Sequence, residues 1–160
     1  MAGGVPSGRM ITIEGAAARD VAELTRIAHA AKRHWGYPDE WMRLWAAALT
    51  VTEATLAEDL VYLARCDGQT AGFYAMSFED DDAELEHMWV APAFMGRGIG
   101  RALFEHATAK LWARGCRLLR IASDPGAEGF YLSMGARRVG EVVSTPSPRI
   151  LPLLEYVVLP

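Results

Sequence analysis

Glu84-Leu85-Glu86-His87-Met88-Trp89-Val90-Ala91-Pro92-Ala93-Phe94-Met95-Gly96-Arg97-Gly98-Ile99-Gly100-Arg101 joins a half-polar strand to a glycine-rich, basic helix start. The first amides of a helix have no partner within it and attract anions, and glycines let a phosphate come close to them. The stretch therefore reads first as a phosphate cradle. A dinucleotide site of the Rossmann type needs a third glycine where Arg101 stands, and a nucleotide P-loop needs Gly-Lys-Ser or Gly-Lys-Thr after four residues, which no part of the chain supplies.

Outward from this stretch, the elements alternate in kind. Met10-Ile11-Thr12-Ile13-Glu14 alternates as a half-buried strand. Asp20, with Glu23 three residues on, reads as the cap of a helix whose apolar face is Val21, Leu24, Ile27, Ala28 and Ala31, running to about Lys32. Pro38 suits the first turn of a second helix with Trp41, Leu44, Trp45, Ala48 and Leu49 as its stripe, and a short third turn is expected at Thr55 with Glu58 at capping distance. Leu60 to Cys66 and Thr70 to Phe78 flank Asp67-Gly68-Gln69, which is hairpin chemistry. The acidic run Glu79 to Asp82 reads as a solvated turn before the strand Glu84 to Val90.

Beyond the cradle, Ile99, Leu103, Ala107 and Leu111 mark a helix that Gly115 ends, and Arg117 to Ala122 is a short strand. Asp124-Pro125 opens a helix carrying Phe130, Tyr131 and Met134, closed by Gly135. Ala136 to Val143 and Ile150 to Leu159 form a final hairpin around Ser144-Thr145-Pro146-Ser147-Pro148. This order predicts an α/β fold, a mixed sheet covered by helices on both faces.

At 160 residues and 51% hydrophobic content, the chain suits one domain, read as residues 10–160 after a loose leader, 1–9. A net charge of -4 argues against a nucleic-acid partner, because no broad basic face displaces counterions. Cys66 and Cys116 lie at no metal or redox spacing, so no metal is expected and two reduced thiols are. No apolar run approaches membrane-spanning length and the leader is too polar for a secretory signal, so a cytoplasmic protein without a membrane partner is expected.

In Met95-Gly96-Arg97-Gly98-Ile99-Gly100 the chain resembles the GNAT superfamily of acetyl-CoA-dependent N-acyltransferases, whose signature is Gln or Arg, two residues, Gly, one residue, then Gly or Ala. The preceding Trp89-Val90-Ala91-Pro92 and the later segment from Asp124 to Ala136 are similar to that family's pattern as well. The resemblance spans Met10 to Leu159 in element order and is sharp from Glu84 to Gly135. It implies a GNAT-like, mainly antiparallel central sheet and acetyl-CoA as co-substrate. The implied cofactor-binding residues are Met88, Trp89, Val90, Met95, Gly96, Arg97, Gly98, Ile99, Gly100, Arg101, Asp124 and Tyr131. Two residues depart from the pattern: Met95 stands in place of Gln or Arg, and Gly126 stands where relatives often carry Asn. Main-chain amides and the local charge of Arg97 and Arg101 leave the cradle able to bind.

Acyl transfer to an amine needs a base for the ammonium proton. On an alternating strand Glu84, Glu86 and Met88 share one face and Leu85, His87 and Trp89 the other. The resemblance matches the family's glutamate to Glu84; Glu86 is one step closer to the thioester and is favoured, with Glu84 kept beside it. His87 ranks below both, since alternation turns it away. Tyr131 sits where the family places the acid for the departing thiolate, and amides near Val90 would polarise the thioester carbonyl. Trp35, Tyr37 and Trp41, between and within the first two helices, are read either as an aromatic wall for the acceptor or, equally, as packing of the helix pair; Arg149 on the final hairpin loop could reach the same mouth, but no local feature supports it.

The expected activity is direct transfer of an acetyl group from acetyl-CoA to a primary amine of a small molecule or peptide, within a ternary complex. The alternative is a CoA-liganded sensor without catalysis, which the Met95 departure encourages; a hydride-transferring enzyme ranks third. The C-terminal hairpin is read as a surface able to pair across a homodimer.

Overall fold

The computed structural model describes residues 10–145 and 148–160. The expected leader, and Pro146 and Ser147 of the last loop, lie outside the described residues. Asp67 and Gly68 take φ of 52° and 84°, the two positive values of a tight hairpin turn, and join β2 (Leu60–Cys66) to β3 (Gln69–Glu79). β1 (Ile11–Gly15) pairs with β2, and β4 (Asp82–Val90) follows β3 across a turn at Asp80, so the first four strands form an antiparallel meander.

The second half of the sheet is not sequential. β5 (Leu118–Ala122) lies parallel to β4, and β7 (Ile150–Val157) inserts between β5 and β6 (Arg137–Val143), giving the order β1-β2-β3-β4-β5-β7-β6. The mixed, mainly antiparallel sheet expected from the sequence is the one observed. A parallel pair cannot be closed by a hairpin and needs a crossover, which α4 (Ile99–Arg114) supplies.

Each face of the sheet carries its own core. α1 (Val21–His34) lays Leu24, Ile27 and Ala28 against Leu63, Phe73 and Ala75, together with Met42 and Trp45 of α2 (Asp39–Trp45). Full burial of Leu24 and Ile27 contributes on the order of 2 kcal/mol each. On the other face Leu103, Phe104, Ala107 and Leu111 of α4 meet Tyr74, Met76, Leu119, Ile121 and Leu154, with Tyr131 of α5 (Glu128–Ser133).

Asp20 stands at the N-cap of α1 as expected, but its carboxylate accepts the Ala17 amide of the preceding 3-10 turn and no amide of the helix, while Glu23 pairs with Arg26. Two other helix starts differ from expectation. Pro38 precedes α2 as its cap and is not its first turn. Thr52 caps α3 (Glu53–Glu58) and exchanges hydrogen bonds with Thr55, so Thr55 closes the capping box and does not open the helix. α1 runs two residues beyond Lys32, to His34. Among the described residues no helix is long and apolar enough to cross a membrane.

Candidate active site

Two irregularities of β4 create the site. Ala75 lies opposite His87 but Met76 lies opposite Leu85, so Glu86 is an extra residue bulged out of the ladder. The bulge overturns the expected alternation. Leu85 now shares the α4 face with Met88 and Val90, while Trp89 packs in the α1 core and the His87 ring lies against Phe73. Simple period-two counting holds only for an unbroken strand.

The second irregularity is a fork. β4 pairs with β5 only from Asp82 to Glu84, opposite Leu118 to Arg120; beyond this β5 continues against β7 and β4 has no neighbour on that side. Ala91 donates its amide to the Ala71 carbonyl on the β3 side. Because successive amides of an extended strand point to opposite edges, those of Val90 and Met88 point into the fork.

The fork opens into a cleft of about 380 Å³. Leu85 to Val90 line one wall; Ile121 to Asp124, Phe130 and Tyr131 line the facing one. Met95 and Gly100 extend it toward the start of α4. There Gly98, at φ 82°, caps the helix in the left-handed region that favours glycine, and the first intrahelical bond is from Ala102 to Gly98. The amides of Ile99, Gly100 and Arg101 are left without helical partners and form an anion-binding end.

Of the expected cradle, Met95 and Gly100 line the cleft. Gly96, Arg97, Gly98 and Arg101 are exposed beside it, with Arg97 stacked on Phe94 and Arg101 paired to Glu105. The Ile99 side chain is buried in the core, so this position offers only its amide. Met88, Trp89 and Val90 all line the cleft.

The two candidate bases separate. Glu86 lines the cleft and its carboxylate accepts the Ser77 hydroxyl at 2.6 Å. Glu84 is exposed at the last paired rung and is not part of the lining. His87 also lines the cleft, but its Nδ1 accepts the Trp89 indole N–H at 3.0 Å, which fixes the proton on Nε2. Burial holds the His87 pKa down against the raising effect of Glu86, so the ring is neutral and a donor. Tyr131 is packed by Phe104 and Phe130, and its hydroxyl has no hydrogen-bond partner among the described residues. Burial, then the charge of Asp124, push its pKa up, so it stays protonated.

The aromatic wall does not form as expected. Tyr37 and Trp41 pack with Trp45 in the α1–α2 core and are not among the lining residues. Trp35 does line the cleft, half exposed, with its indole over Gly126. A Cβ at 126 would lie 2.9 Å from the Trp35 ring, so the glycine is required by the indole. Gly126→Ala is therefore expected to cost about 1–2 kcal/mol by thermal denaturation, and Trp35→Ala in the same chain to recover most of it.

Asp124 also has a different setting from the one expected of a cofactor ligand. Its carboxylate accepts Lys32 Nζ at 2.8 Å, the Tyr37 hydroxyl at 2.8 and 3.0 Å and the Gly126 amide at 3.0 Å, with Arg149 at 3.8 Å. Burial alone would raise its pKa; the bonds from Lys32, Gly126 and Tyr37 outweigh it and hold the carboxyl low. Lys32 is buried, and desolvation lowers its pKa more than Asp124 restores it. Lys32 escaped the sequence reading although it continues the Leu24 and Ala28 stripe by four residues, the mark of a charge inside a core.

Residues 57–135 match the family of the acetyltransferase (GNAT) domain. The match covers just under half of the chain and agrees with the resemblance read from the sequence. The aminoglycoside N(6')-acetyltransferase type 1 of Stenotrophomonas maltophilia is 34% identical over 96 residues, 52% of this chain and 60% of that protein. The matched stretches span 54% and 60% of two curated relatives. The fold of this chain is shared with the PaiA N-acetyltransferase of Thermoplasma acidophilum, solved with coenzyme A: the TM-score is 0.77 at 19% identity, over 92% of this chain and 99% of the other. The ribosomal-protein-alanine N-acetyltransferase of Brucella melitensis gives 0.66 at 20% identity, over 91% and 99%.

Proposed function

We propose that this chain is a GNAT acyltransferase that transfers the acetyl group of acetyl-CoA to a primary amine of a small molecule or peptide by direct attack, with Glu86 as base and Tyr131 as acid. One observation carries the reading: the fork places a bulged carboxylate, inward-pointing amides and a buried phenol along one cleft that runs to a helix start. The residues fit CoA in kind. The free amides of Ile99 to Arg101 suit its pyrophosphate, and the unpaired edge of β4 offers main-chain partners to the amides of its pantetheine arm.

CoA presents the acetyl group as a thioester. The Val90 and Met88 amides are aimed to hold the carbonyl oxygen as negative charge develops on it. Glu86 takes one proton of the incoming ammonium, steadied by Ser77; the C–N bond forms, the C–S bond breaks, the sulfur collects a proton from the Tyr131 hydroxyl, and the second proton shed by the nitrogen as the amide forms restores the phenol. His87 is unsuited to the base role because its available ring nitrogen already carries a proton.

The test is Glu86→Gln, assayed as free-thiol release over a panel of amines. The expected result is a fall in kcat/KM of about 10²-fold or more with unchanged CoA affinity. Full activity in this variant would transfer the base role elsewhere, and CoA binding without thiol release for any amine in the parent would point to a sensor.

A further inference from the structure

The wall opposite Glu86 carries more positive charge than its own acids balance. Lys32 and Arg149 both line the cleft, and both turn to one carboxylate, Asp124. Among the described residues no other acid lies within 4 Å of either cation. Asp124 is already satisfied by Lys32, Tyr37 and Gly126, and the Arg149 guanidinium stands 3.8 Å from it. Arg149 has five N–H donors, yet its only side-chain hydrogen bond among the described residues runs from Nη1 to the Tyr37 hydroxyl at 3.0 Å, and Nε is buried without a partner.

What holds Arg149 is chiefly aromatic. Its guanidinium lies over the Tyr37 and Trp45 rings at 5.0 and 4.7 Å, and Lys32 Nζ is 4.4 Å from the Trp45 centroid. Rings orient a cation but do not neutralise it. Lys32 and Asp124 alone would make a balanced pair; Arg149 adds one unit of positive charge to a low-dielectric wall, where an uncompensated ion is costly. Electrostatic balance is restored when an anion enters from the cleft.

The other side of the cleft has the opposite sign. Glu86 lines it, and the Asp59 carboxyl is raised by burial and by the charge of Glu86 nearby. One cleft thus presents carboxylate on β4 and guanidinium on the segment between β6 and β7.

We infer that the acceptor is a small zwitterion, an amine that also carries a carboxylate: the ammonium is presented to Glu86 and the carboxylate to Arg149, with Lys32 behind it. This deepens and rests on the acyl-transfer reading. A polycationic amine is disfavoured, since its second charge would meet Arg149.

The experiment compares amino acids, their primary amides, an acidic dipeptide and spermidine as acceptors, for the parent and for Arg149→Gln and Arg149→Lys, with CoA affinity measured on each. The expected result is that the parent prefers amino acids to their amides by tenfold or more. Arg149→Gln abolishes that preference by raising KM for the carboxylates alone, Arg149→Lys keeps part of it, and CoA affinity is unchanged. A dipeptide preferred over free amino acids would replace the small zwitterion with a peptide and overturn the inference. So would a parent that turns over amides or spermidine best, while leaving acyl transfer intact. A loss confined to CoA affinity in Arg149→Gln would assign the guanidinium to a donor phosphate and overturn it as well. Bound CoA with no acceptor turned over defeats the acyl-transfer reading and this inference together.

Discussion

Tyr131→Phe is expected to lower kcat by about 10²- to 10⁴-fold while leaving the affinity for acetyl-CoA unchanged. The variant removes one oxygen and keeps the ring that Phe104 and Phe130 pack, so the wall of the cleft survives. The hydroxyl is unpartnered within the described protein, which frees its proton for a sulfur leaving group. Burial and the Asp124 charge raise its pKa, so the phenol remains protonated throughout the range in which the amine is reactive. Any alkaline decline of kcat must therefore come from another group. Steady-state thiol release with calorimetric CoA binding separates the two quantities, and an unchanged kcat removes Tyr131 from the mechanism.

Features set by neighbouring residues were legible in the sequence, and features set by distant pairing were not. Asp67-Gly68 declares its hairpin and Gly115 ends α4 because positive φ is a local demand, met at 76° for Gly115. The glycine run was likewise readable as a helix start. The bulge at Glu86 was not, because nothing in β4 alone says that Met76 will lie opposite Leu85. Its consequence was an inverted face for Leu85, and with it the wrong company for His87. The insertion of β7 beside β5 depends on contacts between residues more than thirty positions apart, such as Ile121 with Leu154. The meeting of Arg149 with Tyr37 spans 112 positions, so no window of sequence could place that guanidinium. Lys32 is the instructive exception: its helical spacing already required a buried partner.

That partner supplies the largest expected loss of stability. Asp124→Ala leaves Lys32 buried beneath three aromatic rings with no counter-charge, beside the cation of Arg149. Removing one member of such a pair costs about 3–5 kcal/mol, or roughly 10 °C in Tm for a domain of this size. The pH dependence should change in kind as well. In the parent, the Asp124 pKa is held below its ordinary value of about 3.9, so its contribution is complete above that value and is lost as pH falls through the depressed one. The variant lacks this acid loss. Its Lys32, already lowered by burial, loses the bond that raised it, so the folded state binds fewer protons than the unfolded one between that lowered pKa and the ordinary value of about 10.4. Stability of Asp124→Ala therefore rises as pH increases through this window, where Lys32 sheds its charge at lower cost than in water. Adding Lys32→Met should restore much of the loss at neutral pH, because an apolar side chain of similar length needs no counter-ion. Thermal melts of the three chains between pH 4 and 10 measure all of these effects. A single variant within 2 °C of the parent, on the scale of about 2–4 °C per kcal/mol, would show that water already serves Lys32 in place of Asp124.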